Sequence, residues 1–180
     1  MVVDERAVFE GVTINVSRAE RIEPGPGQES VWDYPRPPAM ERMSKRVRIV
    51  FGGVVLADST RALRVLETSH PPNIYLPPED IRVDHLVAST HQTHCEWKGE
   101  ARYYDVAVGS RIAAQAAWAY PKPVERYADL KDHIAFYPGP MDQCTIDGEV
   151  VRVQEGNFYG GWITDDIVGP FKGAPGTWGW

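Results

Sequence analysis

Apolar and polar residues alternate with a period of two over several short stretches, a pattern that predicts β-strands. Val47, Ile49 and Phe51 alternate with Arg48 and Val50, and Gly52-Gly53 then offers a hairpin turn into Val54-Val55-Leu56. Leu63 and Val65, with Ala62, Arg64 and Leu66, predict a further strand ending near Glu67. Residues 73–76 form a short strand closed by Pro77-Pro78. Residues 101–108 alternate Tyr103, Asp105 and Ala107 against Tyr104, Val106 and Val108, and 111–118 continue the pattern after a turn at Gly109. Thr145-Ile146-Asp147-Gly148-Glu149-Val150 reads as a hairpin, because Asp-Gly accepts the positive φ angles of a tight turn. Helical spacing occurs once, at Val124, Tyr127, Leu130 and Ile134 behind Pro123. The fold class expected is mainly β, either all-β or β-rich α+β, with antiparallel strands and one late helix.

Texture along the chain divides it into three. Residues 1–44 form an extension, with one apolar alternation at 8–16 and then a linker rich in Pro, Gly and charge. The linker ends in Val31-Trp32-Asp33-Tyr34-Pro35-Arg36-Pro37-Pro38, a composition that favours an extended polyproline-like path. Trp32 and Tyr34 give this arm something to bury, against the domain or a partner subunit. Residues 45–155 make the compact domain. Residues 156–180 are a Gly- and aromatic-rich tail. The sticky extensions favour a homodimer.

Composition narrows the function classes. At 180 residues the chain is long enough for a real core, and its 43% hydrophobic and 24% charged residues suit a soluble globular protein. A net charge of −6 argues against a nucleic-acid or anionic-membrane binder, which needs a basic face. No apolar run approaches the roughly 20 residues of a membrane span. The start, MVVDERAVFEG, is acidic where a secretory signal is basic and then apolar, so a cytoplasmic location is expected and the Asn15-Val16-Ser17 sequon is read as chance. Cys95 and Cys144 are too few for a disulfide framework.

Candidate chemistry concentrates in residues 67–104, which hold four of the five histidines, Cys95, Trp97 and Lys98. Such density of titratable groups suits a pocket wall better than core filling. His91, His94, Cys95 and the distant Cys144 are ligand types that zinc accepts, but two separated close pairs are lacking, so no metal and no cofactor is expected. Cys95, with His94 and Lys98 nearby to stabilise a thiolate, is a candidate nucleophile. Glu67, Ser69 and His70 could handle a proton if the Pro71-Pro72 kink gathers them; Glu67 and Ser69 share a strand face, whereas pairing of Glu67 with Arg64 or Arg102 would be the structural alternative. Trp97-Lys98-Gly99 lies in a non-periodic loop, where an indole beside a lysine suits a planar or anionic small molecule. No Gly-x-Gly-x-x-Gly or Walker pattern is present.

Taken together, VRIVFGGVVLADSTRALRVLETSHPPNIYLPPEDI, THCEWKGEARYYDV, AAWAYPKP and HIAFYP resemble domain-of-unknown-function family 427, from about residue 45 to 153. That family is labelled nucleotidyltransferase-like, although this chain shows no phosphate loop or metal-binding carboxylate pair. The resemblance implies a β-tent-like fold, similar to methionine-sulfoxide reductase B and the ligand-binding domain of cereblon. Those relatives hold zinc with two Cys-x-x-Cys knuckles that this chain lacks, and the cysteine pair for sulfoxide reduction is missing too. What the resemblance implies is a sheet-lined pocket. Its motif positions include Glu67, His70, Tyr75, Thr93 and Cys95, and also Trp97, Lys98, Tyr103 and Trp118. Three roles are open: a small-molecule binding domain or enzyme with its pocket between the sheet and loop 93–99, a Cys95-dependent enzyme, or an interaction module. In the first, Trp97 and Tyr75 stack the ligand, Lys98 pairs its anion, and Glu67 with His70 orients it or moves a proton.

Overall fold

A computed structural model describes residues 20–156 and 158–180; the alternation at 8–16 and the Asn15 sequon lie outside them. Among the described residues the strands are β1 (Glu29–Ser30), β2 (Ala39–Met43), β3 (Val47–Phe51), β4 (Val54–Ser59), β5 (Ala62–Leu66), β6 (Asn73–Leu76), β7 (Leu86–Cys95), β8 (Gly99–Val108), β9 (Arg111–Ala119), β10 (Ile134–Phe136), β11 (Gln143–Ile146), β12 (Glu149–Val150), β13 (Arg152–Val153), β14 (Trp162–Ile163) and β15 (Ile167–Val168). The chain is mainly β, as the alternation requires.

Seven strands form an antiparallel sheet in the order β2-β5-β6-β10-β9-β8-β7, and four form a second in the order β12-β11-β3-β4. Two-residue glycine-bearing turns make the tight hairpins: Gly52 and Gly53 lie at φ 58° and 75°, and Asp147 and Gly148 at 49° and 85°. Positive φ costs glycine little, and aspartate tolerates it.

The period-two pattern divides the larger sheet into two working faces. On one, Ile74, Leu76, Val106, Ala117 and Phe136 pack with Val47, Ile49, Phe51 and Leu56 of the smaller sheet. Trp162 closes this core, with its indole N–H donated to the Phe136 carbonyl at 3.0 Å. On the other face, register aligns Leu63, Tyr75, Ala135, Trp118 and Tyr103 in a row across five strands. This second cluster is more aromatic, and Cys95, Trp97 and Tyr137 pack against it. The cavity described below opens on this side.

Two expectations change. The late helix is a short 3-10 element, Glu125–Leu130, in which Tyr127 leaves helical geometry at φ −113°, ψ 25°. Tyr127 and Leu130 are buried as their spacing required, a demand that a 3-10 turn meets as well as an α-turn. Ile134 instead pairs with Leu76 and Ala119 in the sheet, so strand pairing ends the helical run. Residues 93–99 are also not a loop. Thr93, His94 and Cys95 finish β7, and only residues 96–98 turn into β8, with Gly99 at φ 100°.

The arm and the tail fold against their own chain. Val31 and Tyr34 are buried with Leu66 and Ile167, while Trp32 packs alongside and donates its indole N–H to the Pro170 carbonyl at 2.9 Å. β1 of the arm pairs in parallel with β15 of the tail. No helix among the described residues is long and apolar enough to cross a membrane.

Candidate functional site

A cavity of about 270 Å³ lies on the aromatic face of the larger sheet. Its walls bring together Glu67, His70, Thr93, Cys95, Trp97, Lys98, Tyr103 and Trp118 from segments up to fifty-one residues apart (118 − 67). Tyr75 is placed differently. It is fully buried beneath the cavity and accepts a hydrogen bond from the Trp118 indole N–H at 3.2 Å, so it props the wall and does not stack on anything within. Burial pushes its hydroxyl far above the ordinary tyrosine range.

Residues 67–72 are clamped between arm and tail. Thr68 donates its hydroxyl to the Tyr34 carbonyl at 2.6 Å, and the Ser69 carbonyl accepts the Lys172 N–H at 2.8 Å. Ser69 itself turns at φ 70°, unusual for a non-glycine, and its N–H is held by the Val31 carbonyl at 3.0 Å. This turn takes Ser69 out of the strand and buries it completely, so it does not share a face with Glu67. Glu67 and His70 are the pair that reaches the cavity. Glu67 is met by neither Arg64 nor Arg102 but by Arg36 of the arm, at 3.3 Å. Arg64 is taken by Glu29 and Glu41.

Hydrogen bonding fixes the state of His70. Its Nδ1 lies 2.9 Å from the Thr68 carbonyl, which can only accept, so the proton sits on Nδ1 and Nε2 carries the lone pair. Burial lowers its pKa, with the Thr68 bond and Glu67 opposing, and favours this neutral form. The ring meets Tyr159 edge-on, 4.7 Å between centroids.

At the opposite end the 96–98 turn places Trp97 and Lys98. Lys98 is buried, only 6% exposed, and its ammonium lies 5.8 Å from the centre of the Tyr120 ring. Its carbonyl accepts the Val124 N–H at 3.1 Å, which anchors the turn. Among the described residues no carboxylate pairs with its ammonium. Cys95 is half-buried, whereas Cys144 is buried in the other core, where burial pushes its thiol up to about 12. The cysteines therefore lie in different environments, and Cys144 adds nothing to the His91–Cys95 group. Among the described residues no set of three His, Cys, Asp or Glu side chains is arranged for a metal.

The cavity is completed by residues that strand patterning does not mark. Tyr120 and Tyr137 line it from beside β9 and β10, and Phe158, Tyr159, Gly160 and Lys172 come from the tail. Burial raises the Tyr120 hydroxyl most, with Tyr75 and Cys95 adding to it. Burial also lowers the Lys172 pKa, and Arg36 adds to the effect. The signal in the sequence was Gly160-Gly161: a Cβ at Gly160 would sit 2.3 Å from the Trp118 ring, and one at Gly161 would meet Pro71 at 2.7 Å.

These features define a β-sheet protein with a semi-enclosed, aromatic-walled cavity lined by two lysines, two histidines and two glutamates. The chain belongs to the family described as a domain of unknown function, DUF427, whose pattern matches residues 39–147. The match takes in β2 to β11 and the sheet side of the cavity, and the tail side lies beyond it. No curated protein matches the chain in sequence.

Proposed function

We propose that this chain binds a small organic anion, planar about its charged group, in the cavity between the 96–98 turn and the tail. The observation that supports this most is Lys98. Its ammonium has no carboxylate partner among the described residues and lines the cavity near the Tyr120 ring, so its charge is open to an anionic ligand. Trp97, Trp118 and Tyr159 supply aromatic surface for a planar group. Glu67 and neutral His70 orient the ligand, and the His70 Nε2 lone pair is available to accept a proton.

Benzoate is a fitting probe, and the tryptophans of the cavity supply the signal. Titration quenches tryptophan fluorescence in the native protein, and Lys98→Met weakens binding by at least about tenfold, the order of one charge-assisted contact. Equal affinity in the native protein and in Lys98→Met would sink this reading.

A second reading rests on Cys95, half-buried in the same cavity. If Cys95 is a nucleophile, a carboxylate ligand protects it from alkylation and Cys95→Ser removes turnover without removing binding. Unchanged alkylation at saturating benzoate would count against it.

A further inference from the structure

A second cavity, of about 350 Å³, shares Thr93, Tyr103, Tyr137, Phe158 and Tyr159 with the first. Its character is different. The remaining lining includes Ala114, Pro138, Pro140 and Val153, and among the described residues it contains no lysine, arginine, aspartate or glutamate. Two backbone irregularities border it. β7 slips register against β8 between Ala88 and Gln92, and β8 slips against β9 between Tyr104 and Val106. Within the second, Gln115 takes φ 51° and donates its N–H to the Asp105 carboxylate at 2.8 Å. His91 and Gln115, one from each irregularity, both line the cavity. Bulges bend strands and re-aim side chains, which accounts for a hollow in an otherwise regular surface.

The shared wall is a set of hydroxyls. Thr93 Oγ1 and the Tyr103 hydroxyl are 3.0 Å apart, and the Tyr137 hydroxyl donates to the Phe158 carbonyl at 3.0 Å. One chamber therefore carries lysines and glutamates, its neighbour is mostly apolar, and the two share one wall. The charged chamber alone is smaller than the roughly 300–1,000 Å³ typical of small-molecule sites, and the second chamber brings the whole into that range.

We propose that the two cavities are one amphipathic site, and that its ligand is an aryl carboxylate carrying an apolar extension opposite the carboxylate. The carboxylate pairs with Lys98, the ring lies along Trp118 and Tyr103, and the extension passes Thr93 and Tyr137 to rest on Ala114, Pro138 and Val153. This rests on the organic-anion reading of the first cavity and adds the class of molecule.

Calorimetric titrations of benzoate and 4-butylbenzoate into the full chain and its Ala114→Trp and Val153→Trp variants test it. Both positions are exposed, so an indole there fills the second cavity without entering the core, and two variants guard against one that fails to fold. In the native protein the butyl chain improves affinity at least about tenfold over benzoate. Each tryptophan removes that gain and leaves benzoate binding within about twofold. A butyl chain that adds nothing, or a gain that survives both substitutions, overturns the two-chamber site while benzoate binding still upholds the first cavity. Failure of both compounds to bind the native protein overturns the inference together with the reading beneath it.

Discussion

Lys98 and Cys95 stand three residues apart, yet they were legible in the sequence to different degrees. The Trp97-Lys98-Gly99 turn announced itself by breaking the alternation around it, and the structure places it at a hairpin end on the cavity rim. The adjoining Thr93, His94 and Cys95 gave no such sign of being strand: they pair in register with β8 and alternate in burial, but their side chains are not sorted into apolar and polar. Ser69 misleads in the same way, since a positive φ at a non-glycine residue cannot be read from residue type. The two cysteines make a prediction at this scale. In the native protein a thiol reagent near pH 8 modifies Cys95 alone, because Cys144 is buried and its thiol is held at about 12; after denaturation both react. Two reactive thiols in the native state would contradict the burial described. His70 makes another. The unfolded chain protonates this side chain near pH 6.5, the ordinary histidine value, whereas the folded protein does so only at lower pH. Between those values the unfolded state holds more protons. The contribution is therefore whole above about pH 6.5 and is lost as pH falls. Urea midpoints of the native protein and His70→Gln should converge on acidification, and parallel pH profiles would refute the assignment.

Among the elements, strands were readable and the non-repetitive tail was not. β3 follows directly from its alternation up to Gly52, because one side of it is buried and the pleat enforces the pattern, whereas β5 and β6 are apolar on both faces and were marked by short apolar runs. The 3-10 element shows the limit of periodicity: the Tyr127 and Leu130 spacing fits two helix types, and pairing of Ile134 decides between helix and strand. The tail has no period, yet its path over Trp118 is dictated by close approach. Gly160→Ala drives a methyl into that indole ring, where the rigid neighbours Trp118 and Tyr137 leave little room to yield. The expected loss is about 1–3 kcal/mol, the usual cost of overpacking, measured as a lower urea midpoint. Full stability in this variant would mean that the tail does not lie across the cavity.

For the whole molecule, the question is what keeps the cavity in shape. Ion pairs such as Arg46–Asp58 and Arg61–Asp80 are numerous but exposed, and pairs of that kind contribute about 0–1 kcal/mol each. The aromatic and aliphatic clusters on both faces of the larger sheet outweigh them, since fully burying one large side chain contributes about 1.5–3 kcal/mol. Arm and tail bind each other and the 67–72 segment, so a site assembled from distant parts of the sequence is held as one piece. That long-range closure is what the sequence alone conceals: the arm and tail read as sticky because their partners are each other. Binding of an organic anion at Lys98 is best checked by a crystal structure grown with benzoate. The expected result is benzoate in the cavity with its carboxylate within hydrogen-bond distance of the Lys98 ammonium and its ring against Trp118. A cavity filled by the protein's own aromatics, with Lys98 paired to a protein carboxylate, would contradict it.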